Sequence, residues 1–320
     1  MTTRIVVAVD GLSQDDQGRI EAVAKKLGAS AEFFPEKCDD WSSRLAGVTV
    51  AFGAPPPDAI AASNLSFVQL FSSGYDLYKT DALLNRKDFL LANARGITAQ
   101  AVAEHCIAMM FALTRQMHFH IRNQEQNVWQ RAGAYGLLHG STITIIGMGA
   151  IGGTLTKLCH GLGMRVFGVQ RGSEKPQFVE KVFPLEDFFD ALSESRHVVL
   201  ALPSIGLSKP LIGAEEFAQM PDGSYLYNVA RAALLDYDAM MKALDSGKLA
   251  GAGIDVFPEE PLPVSNPLWD FSNVIVSPHA GGRFVGEMSS LANLFADNLE
   301  RYLTGNFLHN VVISDRNPAR

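Results

Sequence analysis

Short apolar segments alternate with polar and amphipathic segments along the first hundred residues. Apolar runs typical of buried strands occupy residues 5–9, 31–34, 48–52 and 67–71. An amphipathic helical pattern covers residues 15–27, and strands that alternate with helices predict a parallel sheet covered by helices. The run Gly53-Ala-Pro-Pro-Pro57 follows one strand, and we expect a stiff turn there, which either faces a ligand or serves only as a connection.

The middle of the chain begins with a long helical pattern. Apolar side chains recur at every third or fourth position through residues 99–119, which predicts one long buried helix. A polar, loop-like segment follows at residues 123–139, and a strand at residues 142–146 begins a second α/β unit that extends to about residue 278. A further helix is expected from about residue 284 to residue 303.

Three histidines, His105, His118 and His120, fall within the first long helical pattern. Side chains two positions apart on a helix point about 200° away from each other, so His118 and His120 cannot chelate one ion. We expect these histidines to pack against the protein or to face solvent, and we expect no metal site.

Composition and charge narrow the class of protein. Of 320 residues, 27 are basic and 34 are acidic, and the resulting net charge of −7 argues against nucleic acid or an anionic membrane as a partner. No apolar stretch reaches the roughly 18 residues that a membrane span needs, and the N-terminal apolar run is too short for a signal peptide. Cys38, Cys106 and Cys159 show no spacing typical of a metal site or a disulfide framework. We therefore expect a cytoplasmic protein, and its length suffices for about two domains.

The strand at residues 142–146 leads directly into Gly147-Met-Gly-Ala-Ile-Gly152, and a helical pattern follows. Strand, glycine turn and helix in this order are typical of a dinucleotide-binding site. Gly147 would permit the tight turn, Gly149 would let the backbone approach a pyrophosphate, and Gly152 would let helix and strand pack closely. The helix would begin with Ala150 and Ile151, and its free N–H groups and positive dipole end would face the phosphates.

The next predicted strand, residues 165–169, ends at Gln170-Arg171-Gly172-Ser173. An Asp or Glu normally binds the 2′-hydroxyl of NAD near this point, but here the acid is missing and an arginine follows. Arg171 could pair with a 2′-phosphate, and Ser173 could donate a hydroxyl to it. Alternatively, Arg171 is a solvated loop cation, or Gln170 alone holds the ribose diol and both cofactors are used. We expect NADP to be preferred and NAD to be possible.

Six segments of the chain resemble one enzyme family in content and in order. They are Ser72-Ser-Gly74-Tyr-Asp76, Ala101-Val-Ala-Glu104-His105, the Gly147 motif, Asn228-Val-Ala-Arg231, Asp255-Val-Phe-Pro-Glu-Glu260-Pro-Leu-Pro263 and Ser277-Pro-His279-Ala-Gly281. The set is similar to the NAD(P)-dependent D-2-hydroxyacid dehydrogenases, which include glyoxylate, hydroxypyruvate, D-lactate and phosphoglycerate enzymes. The resemblance covers about two thirds of the chain, and the first sixty-odd residues match only in their α/β alternation.

The resemblance implies that Arg231 holds the substrate carboxylate, that His279 is the catalytic acid/base and that Glu260 is its partner. An arginine fork matches a carboxylate bidentately and stays charged. Reduction of a 2-keto acid needs a proton at the carbonyl oxygen as hydride reaches the carbon, and histidine titrates near neutrality. A glutamate hydrogen-bonded to the imidazole favours its charged form and orients it.

The resemblance assigns further residues to substrate and cofactor. The backbone N–H groups expected to meet the substrate carboxylate are those of Ser73, Gly74 and Tyr75. Leu202 and Pro203 end a strand predicted at residues 198–202 and would lie over the cofactor, and Asp255 would lie near the nicotinamide amide.

Two positions depart from the family pattern. Ala232 stands where the family usually has glycine after the arginine, which puts the local backbone conformation in doubt. Arg283 is not expected in its place, and it would either add a second positive charge near the substrate or begin a helix in solvent. Glu104 and His105 match a family motif, yet no chemical role for them follows from the residues.

These observations predict an α/β protein with two doubly wound parallel-sheet domains. A Rossmann cofactor domain, residues 99–286, would be inserted into a flavodoxin-like substrate domain formed by residues 1–98 and 287–320. The implied reaction is hydride transfer between NADP(H) and a small 2-keto acid or D-2-hydroxy acid, as in glyoxylate or hydroxypyruvate reductase. The resemblance also implies a homodimer.

Two other functions deserve comparison. A cofactor-sensing binding protein, similar to the transcriptional co-repressors of this superfamily, would share the catalytic residues, and the sequence leaves it open. A formate-type dehydrogenase handles a substrate with no ketone to protonate. The acidic Glu260 beside Pro261, where those enzymes carry an amide, argues against that second function.

Overall fold

The computed structural model describes residues 3–37, 40–203 and 209–314, and Cys38 lies outside this part of the chain. Within it, the chain divides into two compact units. The first contains residues 3–98 and 284–314, and the second contains residues 99–283. Each unit is built around one sheet.

Thirteen strands and eleven α-helices follow one another in the described residues. The strands are β1 (Thr3–Ala8), β2 (Ala29–Phe34), β3 (Val50–Gly53), β4 (Phe67–Gln69), β5 (Leu90–Ala92), β6 (Thr142–Ile146), β7 (Arg165–Gln170), β8 (Lys181–Pro184), β9 (His197–Leu200), β10 (Ser224–Asn228), β11 (Leu249–Ile254), β12 (Val274–Val276) and β13 (Val311–Ser314). The helices are α1 (Gln14–Lys26), α2 (Trp41–Arg44), α3 (Pro57–Ala61), α4 (Asp81–Leu84), α5 (Ala99–Thr114), α6 (Met117–Glu125), α7 (Ala150–Gly161), α8 (Phe189–Ser193), α9 (Ala214–Gln219), α10 (Tyr237–Asp245) and α11 (Glu287–Leu303). Short 3₁₀ helices occupy Asp76–Tyr78, Ala232–Leu234 and Pro267–Asp270.

The sheet of the first unit has the strand order β2-β1-β3-β4-β5-β13. The first five strands run parallel in the order of flavodoxin-like folds, and β13 runs antiparallel to β5 at the edge. Alternate residues of β1 serve opposite faces, since Ile5 and Val7 belong to one buried cluster and Val6 to another. A sheet buried on both faces explains why this strand reads as a continuous apolar run.

The sheet of the second unit has the order β8-β7-β6-β9-β10-β11-β12, with all strands parallel. This is the order of the doubly wound dinucleotide-binding fold with one strand added at the edge. The chain direction across the sheet reverses between β6 and β9, and open α/β sheets bind ligands at the carboxyl ends of the strands at such a point. The predicted α/β class with two doubly wound sheets is confirmed.

The helix predicted for residues 99–119 is wrong as a single element. Helix α5 ends at Thr114, Gln116 adopts a left-handed conformation with φ 58°, and α6 begins at Met117. The N–H group of Gly136 donates to the Thr114 carbonyl over 2.9 Å, so a distant loop satisfies a carbonyl at the end of α5. Residue periodicity cannot show this partner, because it lies more than twenty positions away.

Two other predicted boundaries shift. The segment predicted as a loop from residue 123 begins within α6, which continues to Glu125. The helix predicted from residue 284 begins at Glu287, after Gly286 with φ 94°. The proline-rich turn after β3 is confirmed. Its Pro57 begins α3, at a position where the backbone N–H that proline lacks would have no partner within the helix.

His118 and His120 bind neighbouring groups of their own unit. His118 Nδ1 lies 2.9 Å from the Ala112 carbonyl oxygen, and His120 Nε2 lies 3.0 Å from the Tyr135 hydroxyl. Cys106 and Cys159 are buried free thiols. In the part of the chain that the structure describes, no helix is both long and apolar enough to cross a membrane.

Candidate active site

The glycine turn after β6 is shaped by close contacts of its own backbone. Gly147 has φ 105°, and a Cβ atom there would lie 2.6 Å from the Leu202 Cβ. A Cβ at Gly152 would lie 1.9 Å from the Gly147 carbonyl oxygen. These two glycines are therefore required by the packing of the turn against the residues that follow β9 and against itself.

Gly149 has no such requirement from the protein. A Cβ at this position would meet no atom within 4 Å, and its φ of −76° is open to any residue. It is also the N-cap of α7, which has no side-chain cap, so the first N–H groups of the helix, at Ala150 and Ile151 among others, lack a helical acceptor. Open space beside uncapped amides fits the pyrophosphate of a dinucleotide.

At the end of β7, the Gln170 side chain donates a hydrogen bond to the Glu174 carbonyl over 2.6 Å. Arg171 and Ser173 are exposed, and their side chains make no hydrogen bond or ion pair with another described residue. No carboxylate stands at residues 170–173, so a 2′-phosphate would meet the exposed guanidinium without an acidic neighbour from this segment.

Leu202 and Pro203 follow β9, beside the glycine turn. Leu202 is buried and stands against Gly147, whereas Pro203 is exposed. The structure therefore brings the end of β9 to the start of the glycine motif, as expected at the point where the strand order reverses.

His279 and Glu260 form a hydrogen-bonded pair, with 2.8 Å between His279 Nδ1 and Glu260 Oε2. The other carboxylate oxygen, Oε1, accepts from the Phe257 N–H over 2.9 Å. Partial burial is the largest single influence and raises the pKa of Glu260. The hydrogen bonds from His279 and Phe257, with the charge of Arg231, outweigh it and leave this pKa below its usual 4.5. Glu260 is therefore a carboxylate at neutral pH.

Asp255 holds the turn that carries His279. Its Oδ1 accepts from the Ser277 hydroxyl over 2.6 Å and from the Ala280 N–H over 2.9 Å, and its Oδ2 accepts from the Gly281 N–H over 3.0 Å. The residue is buried, and a Cβ at Gly281 would lie 2.8 Å from Oδ2, so only glycine fits there. The side chain expected near the nicotinamide amide thus orders the turn that carries His279.

His105 lies against the same carboxylate. Its Nε2 is 3.6 Å from Asp255 Oδ1, and this buried nitrogen has no hydrogen-bond partner among the described residues. The sequence motif at residues 101–105 therefore delivers an imidazole from α5 to the carboxylate that orders the His279 turn. Sequence reasoning assigned it no role, because the two residues are 150 positions apart.

Arg231 follows β10 in a turn ordered by Asn228. The Asn228 side chain accepts from the Ala230 N–H over 3.1 Å and donates to the Arg231 carbonyl over 3.0 Å. Arg231 Nη1 donates to the Ala230 carbonyl over 2.7 Å. The following 3₁₀ helix includes Ala232, which is absent from the residues with positive φ, so the turn does not require the glycine usual in the family.

The Ser73–Tyr75 loop belongs to the first unit and follows β4. Ser72 Oγ donates to the Gly74 carbonyl over 2.7 Å, and the Asn93 side-chain amide donates to the Ser73 carbonyl over 2.6 Å. The loop's carbonyls are thus held by the protein. The N–H groups of Ser73, Gly74 and Tyr75 have no hydrogen-bond acceptor among the described residues.

Arg283 closes the second unit. Its N–H donates to the Ala280 carbonyl over 3.0 Å, one turn beyond His279, and its side chain is exposed and interacts with another group of the chain. Arg283 does not begin a helix, because α11 begins four residues later.

Comparison with known proteins agrees with this arrangement. Residues 107–281 match the family model described as D-isomer specific 2-hydroxyacid dehydrogenase, NAD binding domain. A glyoxylate/hydroxypyruvate reductase B of Pectobacterium atrosepticum is 33% identical over 78% of this chain and 80% of its own. A glyoxylate reductase of Korarchaeum cryptofilum is 30% identical over 79% of this chain and 77% of its own.

A solved structure shares the fold along the whole length. The D-isomer specific 2-hydroxyacid dehydrogenase of Xanthobacter autotrophicus Py2, in complex with NADPH and MES, superposes with a TM-score of 0.77 at 26% identity and covers 98% of each chain. The present chain belongs to the D-isomer specific 2-hydroxyacid dehydrogenases. It is an NAD(P)-dependent oxidoreductase, a 2-ketoacid reductase with a nicotinamide cofactor.

Proposed function

We propose that this enzyme reduces glyoxylate or hydroxypyruvate to the corresponding hydroxy acid, with NADPH as the preferred reductant. The His279–Glu260 pair carries the proposal, since a proton donor held by a carboxylate is what reduction of a ketone or aldehyde to an alcohol needs. The two relatives named above, a glyoxylate/hydroxypyruvate reductase and a glyoxylate reductase, support this substrate class.

His279 would supply the proton. When bound, the reduced nicotinamide supplies a hydride to the carbonyl carbon. Nδ1 of His279 is engaged by Glu260, so Nε2 is the atom that faces the carbonyl oxygen and donates its proton as negative charge develops there. The ionised Glu260 then stabilises the protonated imidazole before transfer and orients the ring throughout.

Arg231 would bind the substrate carboxylate in the second unit. Its guanidinium donates from Nη1 to the Ala230 carbonyl, within the turn that Asn228 holds. This hydrogen bond orients the planar guanidinium. In the first unit, the donors at residues 73–75 are suited to the same chemical group, because backbone N–H groups without internal acceptors bind carboxylates. On this basis, the second unit is the cofactor domain and the first is the substrate domain.

The preference for NADPH rests on residues 170–173. The segment offers the exposed cation Arg171 and the exposed hydroxyl Ser173, and it has no acid to repel a 2′-phosphate. The Gln170 amide donates to the Glu174 carbonyl, and this side chain carries no charge that would repel a 2′-phosphate. The relative from Xanthobacter autotrophicus binds NADPH, which supports the assignment.

The enzyme would act as a homodimer. Large apolar side chains remain exposed on α6 and on the loop after it, more than a monomer's scattered surface residues would account for. They are Met117, Ile121, Val128, Trp129, Tyr135 and Leu137. A second copy of the same chain would cover them symmetrically. Sedimentation at micromolar concentration tests this, and a monomer would contradict it.

Initial rates with a panel of 2-keto acids test the function. We expect turnover of glyoxylate and hydroxypyruvate with NADPH above that of pyruvate, phenylpyruvate and an α-keto diacid. NADH serves as the matched cofactor in each case. A protein that binds NADPH but turns over none of these acids would instead be a cofactor-sensing binding protein.

A further inference from the structure

Tyr237 lies at the first position of α10, and neither the glycine motif nor the catalytic segments include it. Its hydroxyl donates a hydrogen bond to the Val256 carbonyl over 2.5 Å. The Asn228 side chain lowers the pKa of this hydroxyl, but less than burial raises it. The ring lies beside Phe257, with 6.4 Å between ring centroids, and the side chain is half-buried.

The carbonyl that accepts this hydrogen bond lies within the catalytic arrangement. Val256 lies between Asp255, which holds the His279 turn, and Phe257, whose N–H binds Glu260. The hydroxyl therefore connects the start of α10 with the segment that follows β11.

The connection to Glu260 passes through a single peptide group. The Val256 carbonyl and the Phe257 N–H belong to the same planar unit and point in opposite directions. Tyr237 binds the carbonyl side, and Glu260 Oε1 accepts from the N–H side over 2.9 Å. A change at the hydroxyl thus tilts the donor that holds Glu260, and hydrogen bonds in such a series strengthen one another.

We propose that Tyr237 is a positioning residue that holds the Glu260–His279 pair in place through the peptide group between Val256 and Phe257. The inference rests on the proposed roles of Glu260 and His279. Burial raises the pKa of the Tyr237 hydroxyl, and the charge of Glu260 adds to the effect, so it remains a hydrogen-bond donor throughout the working pH range.

The test is Tyr237→Phe, which keeps the ring and removes only the hydroxyl. We expect kcat/KM for glyoxylate to fall about tenfold, mainly in kcat, while the KM for NADPH stays unchanged. In the Glu260→Gln background, the same substitution should lower kcat/KM by less than about twofold, because its effect passes through that carboxylate. A merely structural role would give the same factor in both backgrounds.

Tyr227→Phe is the matched control. It also removes a buried tyrosine hydroxyl, from β10 itself, but that hydroxyl bonds to His197 Nδ1 at 3.2 Å and not to the segment that holds Glu260. We expect this variant to lower the melting temperature and to keep kcat/KM within about twofold of wild type.

The outcomes separate the inference from the function beneath it. Wild-type kinetics in Tyr237→Phe, or an equal loss in both backgrounds, would overturn the positioning role while leaving the proposed function intact. A wild-type enzyme that reduces no 2-keto acid would overturn both. If Tyr237→Phe melts well below Tyr227→Phe, the rates of both variants are measured at a temperature at which both are folded. A loss of rate in Tyr237→Phe then does not come from unfolding.

Discussion

Glu260 Oε2 lies 2.8 Å from His279 Nδ1, and His279 has a left-handed backbone with φ 54°. A non-glycine residue in that region is uncommon and is maintained only where its surroundings hold it. Here the surroundings are the three hydrogen bonds that Asp255 accepts from residues on either side of His279. The imidazole is thus aimed by a strained turn and oriented by a carboxylate.

Glu260→Gln should lower kcat/KM for keto-acid reduction. The amide can keep a hydrogen bond to the His279 ring, but it no longer carries the negative charge that stabilises the protonated imidazole. His279→Ala should lose about 10² to 10⁴-fold. Initial rates with glyoxylate and NADPH measure both variants, and wild-type kcat/KM in both would place the proton transfer on another group.

Arg231→Lys should cost far more than a change that conserves charge would suggest. A point charge replaces a planar fork, and the hydrogen bond to the Ala230 carbonyl that orients the fork is lost. We expect a loss on the order of 2–4 kcal/mol in transition-state binding, measured as kcat/KM for glyoxylate. A lysine variant as efficient as wild type would remove Arg231 from the carboxylate site.

Gly149→Ala and Gly152→Ala should separate cofactor binding from folding. The alanine at residue 149 has open space, so the melting temperature without cofactor should not change, while the affinity for NADPH falls. The alanine at residue 152 meets the Gly147 carbonyl and should destabilise the apoprotein by on the order of 3 kcal/mol. Thermal melts and fluorescence titration with NADPH measure both. Normal NADPH affinity in Gly149→Ala would contradict the phosphate site.

Arg171→Ala should lower kcat/KM with NADPH selectively. A charge-assisted contact to the 2′-phosphate is lost, whereas NADH has no group for the guanidinium to bind. At about 4 Å the attraction between two unit charges is about 4 kcal/mol at an effective dielectric constant near 20, and solvent reduces it at this exposed position. The ratio of kcat/KM for the two cofactors is the measurement. An unchanged ratio, or a wild type that favours NADH, would reject the assignment.

His197 should make the second unit less stable in mild acid. Burial, with a smaller effect of the Arg196 charge, lowers the pKa of His197 from 6.5 to about 3. Between these values the unfolded chain takes up a proton that the folded chain excludes, so this stability is complete above pH 6.5 and is lost as the pH falls toward 3. Between about pH 7 and about pH 5, this one group lowers the free energy of unfolding by about 2 kcal/mol.

Urea unfolding at the two pH values checks this, with His197→Phe, which keeps a ring between Tyr225 and Tyr227. The variant should lose about 2 kcal/mol less than wild type over that interval. His160→Gln removes an exposed imidazole and serves as the control. Equal losses in His197→Phe and wild type would contradict the buried neutral histidine.

Local patterns located seven of the thirteen described strands, among them the one that leads into the glycine turn, but not β5, β8 or β10–β13. The strand at Thr142–Ile146 and the glycine turn after it were located correctly, because period, turn residues and helix signals all lie within about twenty consecutive positions. A predicted helix boundary was wrong where a residue distant in sequence binds the end of the helix. The break after Thr114 depends on Gly136, and no periodicity within residues 99–119 records it.

The sequence by itself determined the α/β class, the dinucleotide turn and the residue types suited to reduce a keto acid. The tertiary structure alone decided how those residues are held. In the structure, Asp255 orders the His279 turn, His105 lies against Asp255, and Tyr237 binds the Val256 carbonyl. The physical reason is that parallel strands bring their carboxyl ends to one edge of a sheet, so partners that meet in space come from loops far apart in the chain.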